Sequence, residues 1–258
     1  MSCMKKGFDH FIQLLITMTG KELKVRYKNT IFGYLWMMIN PLLQMLVIGF
    51  IFNFFIKEPI KNYNYYLFLG LLIWNFFSLS LTKGTHSIIL ERNLIKKAKF
   101  NHLVIPFSII LSNLTHLLLA FIVFIIPVIF LGTLTFWSLP IILLAFILLI
   151  AFSSGLILLS SSLNVRFRDI NFFVQAILIV WFYATPIVYS IDFIPEKFIW
   201  LWRLNPMVSI LQLFQNGVLN FPMPDLTTFL VNIITIAVIL VIGVFIFYKE
   251  SKNFDDWI

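Results

Sequence analysis

The chain contains long runs of uncharged, mostly apolar residues, and these runs limit what it can fold into. Between Lys28 and Lys57 there is no Asp, Glu, Lys, Arg or His. A helix needs about 20 apolar residues to cross the roughly 30 Å hydrocarbon core of a bilayer. Hydrophobic residues make up 60% of the 258 residues and charged residues only 12%. Soluble domains average about 45–50% apolar residues and about 25% charged residues. The sequence therefore predicts a membrane protein.

Six segments are long enough and apolar enough to cross a membrane as helices, and no alternating pattern of a β-barrel is present. We predict an all-α, polytopic, single transmembrane domain over residues 1–258. Pro41, Pro106 and Pro127 are expected to bend or begin helices rather than to prevent them. None of the spans as drawn contains Asp, Glu, Lys or Arg. The predicted spans are residues 31–56, 63–81, 103–131, 139–163, 170–189 and 227–248, followed by a tail at 249–258.

Basic residues are distributed unevenly between the two sides that these six spans define. Fifteen lie on the side of both chain ends and four on the other side. Because basic residues favour the cytoplasmic side, this bias predicts that both termini are cytoplasmic and that the chain lies in the cell inner membrane. The net charge of +8 then fits an anionic membrane surface better than a nucleic acid. A single cysteine, Cys3, excludes a disulfide within the chain.

Residues 1–30 predict an amphipathic helix in the inner membrane interface. Apolar residues recur there at helical spacing, and basic residues follow on a polar side. Each basic residue near anionic lipid gains about 1 kcal/mol. A simple topology signal explains the same cluster equally well. The apolar residues are Phe8, Phe11, Ile12, Leu15 and Met18, and the basic residues assigned to the interface helix are Lys21, Lys24, Arg26 and Lys28.

Two connections are longer than a simple turn requires. Residues 84–100 combine an apolar side with a basic side, which predicts an amphipathic cytoplasmic helix that lies on lipid or fits a groove of a soluble partner. Residues 190–226 contain a 16-residue uncharged stretch at 206–221. A stretch of this length is too short to span the membrane and is typical of re-entrant or interfacial helices.

The sequence shows no catalytic or metal site. Gly20 and Lys21 are followed by Glu22, so the chain lacks the phosphate-binding loop of ATPases. Asp192 and Glu196 lie four residues apart on the outer connection, where solvated charges are the commoner interpretation. His116, in the third span, is interpreted as a neutral packing residue. The spans also lack the acidic groups that ion-coupled transport uses. We expect no enzyme activity, no cofactor and no metal in this chain.

Several short stretches then carry a resemblance to a known family. In chain order they are "KELKVRYKNTIFGYLW", "NPLLQ", "LFLGLLIWNFFSLSL", "NLIKKAKF", "LNVRFRDI", "TPIVYSIDFIPEK" and "LNPM", within residues 21–207. Together they resemble the membrane subunit of type-2 ATP-binding-cassette exporters. The similarity is to the branch that exports lipid-linked polysaccharide such as O antigen, capsule or teichoic acid. One departure follows "NLIKKAKF", where the family commonly has Pro and Arg and this chain has Asn101 and His102.

The resemblance implies a permease that works as a homodimer with two copies of a separate ATPase, which binds ATP and Mg. The other implied partners are the lipid-linked polysaccharide and membrane lipids, with no nucleic acid. Within the coupling helix, Leu94 and Ile95 would be buried anchors in the ATPase and the basic residues its polar contacts. The residues assigned to ATPase coupling are Glu91, Arg92, Asn93, Leu94, Ile95, Lys96 and Lys97.

Aromatic residues, 17% of the chain, suggest how a polymer could pass. Flat rings stack on sugar faces without gripping one particular sugar, although packing and interface belts use the same residue types. Arginines of the loop between spans four and five could bind a lipid pyrophosphate, because guanidinium matches phosphate geometry, or could act only as an orientation signal. The candidates are Tyr34, Trp36, Trp181 and Tyr183 for the polysaccharide path, and Arg166 and Arg168 for the lipid phosphate.

Two other functional classes remain open. A drug or small-lipid exporter of the same superfamily would share the spans, but the stretches quoted above favour the polysaccharide branch. A polytopic enzyme that acts on lipid-linked sugar would need inward-facing acids or a metal site, which the predicted spans do not offer. A neighbouring reading frame for an ATPase, among glycosyltransferases, would favour polymer export.

Overall fold

The computed structural model describes residues 2–28, 30–55 and 60–257, and the described chain is helical without strands. This confirms the predicted all-α class. Short 3₁₀ turns link several helices. The α-helices are α1 (Ser2–Tyr27), α2 (Trp36–Phe55), α3 (Tyr63–Leu90), α4 (Arg92–Lys97), α5 (Val104–Ile129), α6 (Ser138–Arg166), α7 (Asp169–Tyr183), α8 (Ile199–Arg203), α9 (Pro206–Leu219), α10 (Leu226–Glu250) and α11 (Phe254–Trp257).

Four of the described helices are long and apolar enough to cross a membrane, namely α3, α5, α6 and α10. They confirm four of the six predicted spans. The other two predicted spans correspond to shorter apolar helices, α7 and the part of α2 from Trp36 to Phe52. The 15 residues of α7 extend only about 22 Å. This helix ends early because Pro186 forces the residue before it out of the helical region.

Helix α3 continues beyond the predicted end of the second span. It runs to Leu90, nine residues past the predicted end at Leu81, and this additional part of the helix includes Lys83. The packing against α6 explains the extension: a Cβ on Gly84 would lie 2.5 Å from the Ile157 side chain, and Thr85 Oγ1 lies 2.8 Å from Ser160 Oγ. The predicted amphipathic helix at 84–100 is consequently divided, and its separate part is the single short helix α4.

The main core surrounds α3, which contacts α2, α5, α6, α7 and α9. The rings of Phe77 on α3 and Phe152 on α6 are stacked, with centroids 5.5 Å apart. Helices α6 and α10 approach each other most closely at Gly155 and Gly243, where backbone meets backbone. Small residues permit such close approach between membrane helices.

A second buried cluster joins several helix ends at one end of the bundle, which we call the α4 end. It includes residues from α1, α3, α4, α5, α6, α10 and α11. The four segments that carry the fifteen basic residues counted together in the sequence therefore meet at the same end. The members of this α4-end cluster are Met18, Ile88, Ile95, Val104, Ile105, Leu158, Val165, Phe247 and Phe254.

The connection 190–226 contains the short helices α8 and α9, as the sequence predicted for this region. Helix α9 is deeply buried against α6 and α3 rather than resting on the surface of the bundle. Its C-terminal end lies opposite the α4 end, where Thr133 Oγ1 donates to the Val218 carbonyl at 2.8 Å. Asp225 then caps the start of helix α10, and its carboxylate accepts hydrogen bonds from Thr228; these bonds hold the pKa of Asp225 below its usual value.

Candidate functional site

A cavity of about 520 Å³ lies between α2, α3 and α5. Its wall carries amide and hydroxyl side chains within a bundle that is otherwise mainly apolar. Helix α2 contributes Asn40 and Gln44, which are four residues apart and so share one helix face. Uncharged polar groups of this kind can hydrogen-bond to sugar hydroxyls through both donors and acceptors.

The facing wall is a polar stripe on α3, formed by Asn75, Ser78 and Thr82. Their spacing of three and four residues places the three side chains on one face of the helix. Asn75 Nδ2 donates to Gln44 Oε1 at 3.3 Å, so the stripe is joined to the polar side of α2. Ser78 and Thr82 are only half-buried. The stripe therefore borders open space rather than sealed protein interior.

A second cavity, of about 370 Å³, lies between α3 and α7. Ser78 and Thr82 line both cavities, so the polar stripe separates two spaces along the same helix face. From α7, Gln175 adds another amide to the wall. The two cavities and the polar side chains between them form the candidate site.

These polar residues are not among the predicted functional residues, although their spacing in the sequence carries a signal. Asn40 and Gln44, and Asn75, Ser78 and Thr82, each repeat at helical spacing within apolar segments. A polar stripe at that spacing in a membrane helix indicates a face turned towards water or a ligand rather than lipid.

The four predicted path aromatics have different surroundings. Trp36 lines the first cavity and Tyr183 the second, and both are exposed. Trp181 instead packs edge-on against Phe77 and Phe152 in the core. Its position favours a structural role over a place in the path. The side chain of Tyr34 lies outside the described part of the structure.

At the α4 end of the first cavity, Arg26 reaches in from α1. Its Nη2 donates to Asn113 Oδ1 on α5, and Asn113 Nδ2 donates to Ser80 Oγ on α3 at 3.0 Å. His116, which is 6% exposed, lines the cavity beside Asn113. Arg26 therefore differs from Lys24 and Lys28, the neighbouring basic residues predicted to lie at the membrane interface, which are exposed on the surface.

The coupling segment presents a basic surface. The side chains of Arg92, Asn93, Lys96 and Lys97 are exposed, whereas Leu94 is half-buried. Ile95 is only 4% exposed and belongs to the α4-end cluster of this chain. Its side chain is covered by this chain's own helices, and this burial does not favour the predicted role of Ile95 as an anchor inside a partner.

An ion pair connects the interface helix to the coupling segment. Lys21 Nζ on α1 lies 2.5 Å from Glu91 Oε1, the residue between α3 and α4. Glu91 is largely buried, with its side chain 16% exposed, whereas Lys21 is half exposed. The pair links the start of α4 to α1, and both helices also contribute a residue, Ile95 and Met18, to the α4-end cluster.

Reversing one charge of this pair should weaken the attachment of α1. We expect Lys21→Glu to lower stability by about 1 kcal/mol, since a partly exposed pair contributes little and the like charges now repel. The double variant Lys21→Glu with Glu91→Lys should recover most of that loss. Thermal unfolding of the detergent-purified protein measures both. Lys24→Glu, on the same helix and exposed, is the matched control; equal losses in the single and double variants would contradict the pairing.

The loop arginines lie outside the cavities. Arg166 and Arg168 are exposed at the turn between α6 and α7. The guanidinium of Arg166 lies over the rings of Phe167 and Trp257, at 5.2 and 5.6 Å from their centroids. Neither residue lines either of the two cavities described above. Their surroundings therefore favour a role at the surface of the α4 end over the predicted phosphate site.

The stretch "LNPM" owes its structural importance to Asn205. Its Oδ1 accepts from the Met207 backbone N–H and from Trp181 Nε1, and its Nδ2 donates to Thr185 Oγ1 at 3.0 Å. Asn205 thus caps α9 and attaches this helix to the end of α7, while Pro206 occupies the first helical position. This network positions the α7 wall of the second cavity.

Comparison with known proteins fits this arrangement. The family model for the membrane protein of ABC-2 type transporters matches residues 13–219. The chain belongs to the ABC-2 type transporter family. The ABC-2 match covers every residue that lines the two cavities, from Arg26 to Tyr183. Two proteins from Klebsiella pneumoniae named O-antigen export system permease protein RfbA are each 36% identical to the chain, over 98% of both chains. A Myxococcus xanthus protein of the same name is 30% identical over 94% of both chains.

Proposed function

We propose that this ABC-2 permease subunit moves lipid-linked polysaccharide of the O-antigen type from the cytoplasm across the inner membrane. The observation that supports this most directly is the polar stripe of Asn75, Ser78 and Thr82 between two cavities in an apolar helical bundle. A sliding sugar chain needs many weak, uncharged partners, which amides and hydroxyls provide. The similarity to O-antigen export permeases along nearly the whole chain supports the same substrate class.

The conduit is proposed to form between two copies of the chain, each contributing six spans, with α2 and α7 as the short ones. In a single chain these two helices bury one face on α3 and leave large apolar side chains exposed on the other. A two-fold axis can cover such faces with their equivalents and close the open side of the cavities. The exposed residues include Leu46, Val47 and Phe50 of α2 and Phe173 and Val180 of α7.

A separate ATPase is proposed to bind at the α4 end, with two copies in the assembly. The exposed Arg92, Lys96 and Lys97 form its polar contact, and the Lys21–Glu91 pair would pass movement of α4 to α1. This requires the α4 end and both termini to lie in the cytoplasm.

Membrane-impermeant amine labelling should then reach Lys61 from outside intact cells and Lys96 only after the cells are opened.

Co-purification tests the proposed partnership. The chain, expressed together with the ATPase subunit proposed as its partner, should isolate as a complex containing two copies of each, with ATP hydrolysis only in the complex. Lys96→Glu with Lys97→Glu should reduce the recovered ATPase strongly, because both basic contacts are reversed. Lys61→Glu, exposed at the opposite end, is the control. ATP hydrolysis by the isolated chain, or unchanged recovery of the ATPase, would contradict the proposal.

A further inference from the structure

The first cavity has a marked charge asymmetry. Among the described residues that line it, Arg26 is the only one with a formal charge, and the remaining polar groups there are amides, hydroxyls and one imidazole. Lys83, on α3, is close enough to be influenced electrostatically by Arg26 and by Glu22 on α1. The α4 end of the cavity thus brings two cations together with one nearby acid and is electropositive.

The position of Arg26 is fixed by the surrounding helices. Asn113 is 2% exposed and Ser80 is fully buried, and the bond between them directs the Asn113 oxygen towards the Arg26 guanidinium. Lys83 follows Ser80 by three residues, so both lie on the same side of α3. Asn113 is about 14 Å along α5 from Val104, so the guanidinium is held well inside the bundle.

Placing a guanidinium this far inside the bundle costs desolvation energy, and charged side chains buried among membrane helices usually mark a ligand or ion pathway. Arg26 and Asn113 both line the cavity, and the hydrogen bond between them orients the guanidinium. A guanidinium binds phosphate oxygens through two parallel hydrogen bonds, and a neighbouring lysine adds a second positive charge. A diphosphate, with its larger negative charge, suits the pair better than a single phosphate.

We infer that Arg26 and Lys83 bind the phosphate groups of a lipid-linked substrate at the α4 end of the first cavity. The inference rests on the proposed function and places the lipid phosphate away from Arg166 and Arg168. Thr30, in the connection between α1 and α2, borders the same cavity, so an anion held by Arg26 lies beside this connection. The attached sugars would then extend along Asn40, Gln44 and Asn75.

Equilibrium binding of radiolabelled farnesyl diphosphate to the full chain in complex with its ATPase, in phosphatidylcholine nanodiscs, tests this site. We expect unlabelled farnesyl diphosphate to compete much better than farnesol. Arg26→Gln should weaken binding by about tenfold or more, because it removes charge-assisted hydrogen bonds. Arg26→Lys should lose less, since it keeps the charge but not the two parallel bonds. Lys24→Gln, exposed on the same helix, should bind like the unaltered protein.

A second variant and a second lipid make the outcome decisive. Lys83→Gln leaves the bond between Arg26 and Asn113 intact and should weaken binding several-fold even if Arg26→Gln fails to fold. Farnesyl diphosphate binding that survives in both variants would overturn the site. Replacing part of the phosphatidylcholine by phosphatidylglycerol separates the two sources of phosphate. If phosphatidylglycerol removes the binding, the site holds ordinary anionic headgroups and the inference is wrong.

The same preparation distinguishes this inference from the proposed function. If the complex binds farnesyl diphosphate through Arg26 but moves no polysaccharide, the anion site is supported and the proposed function is wrong. If the unaltered complex moves polysaccharide but the Arg26→Gln variant binds farnesyl diphosphate normally, the proposed function is supported and the anion site is wrong.

Discussion

Replacing Gly243 by leucine is expected to prevent the chain from accumulating as a folded membrane protein. A Cβ at this position would lie 2.2 Å from the carbonyl oxygen of Gly155, which belongs to the backbone of the facing helix α6. No flexible side chain can move aside to relieve that overlap. Overpacking usually costs about 1–3 kcal/mol, and a contact between two backbones should lie at or beyond the upper limit.

Fluorescence-detected size-exclusion chromatography of the detergent-solubilised protein measures this effect. The symmetrical folded peak should disappear for Gly243→Leu and for Gly155→Leu, where a Cβ would lie 2.8 Å from Leu240 backbone atoms. Gly20→Ala is the control, because a Cβ there meets nothing within 4 Å. A normal peak for Gly243→Leu would show that α6 and α10 do not cross at these glycines.

Replacing Ser78 by tryptophan should stop polysaccharide export while leaving the complex assembled. Ser78 is the half-buried centre of the polar stripe and lines both cavities, so a large ring there would enter the space on either side of α3. Export should fall by about tenfold or more, because the packed helices around α3 leave the ring no place except the cavities through which the polymer is proposed to pass. Immunoblotting of polysaccharide at the cell surface, with co-purified ATPase measured in parallel, gives both readouts.

The matched control for Ser78→Trp is Ile234→Trp on α10, whose side chain is 62% exposed and lies away from both cavities. It adds a ring of the same size to a membrane helix and should leave export unchanged. Normal export by Ser78→Trp would contradict a path along the polar stripe. Loss of the ATPase from the Ser78→Trp complex would instead show that the substitution acts on assembly.

The general architecture could be predicted from the sequence because it depends on local properties. Uncharged runs of about 20 residues specify membrane helices, and the positions of Lys and Arg separate the connections into two groups. The group that includes Lys96 and Arg166 indeed meets at the α4 end. Helix limits were predicted less well. The end of α3 depends on Gly84 packing against Ile157, a contact between segments far apart in the chain.

The candidate site depended more strongly on tertiary structure. The composition of the chain could suggest aromatic residues for the path but could not separate Trp36, which lines a cavity, from Trp181, which packs in the core. Arg26 was indistinguishable in sequence from Lys24, yet only Arg26 reaches Asn113. Leu94 and Ile95 were likewise indistinguishable in sequence, yet Ile95 is buried in the α4-end cluster and Leu94 only packs against it.

Transport by the reconstituted complex tests the central claim most directly. Proteoliposomes that contain the chain and its ATPase, supplied outside with ATP and a lipid-linked O-antigen polysaccharide, should move the polymer into the lumen, where added glycosidase cannot reach it. We predict protection that requires ATP and is absent with Ser78→Trp. Polymer that stays fully digestible, although the complex hydrolyses ATP, would contradict the assignment of this chain as a polysaccharide permease.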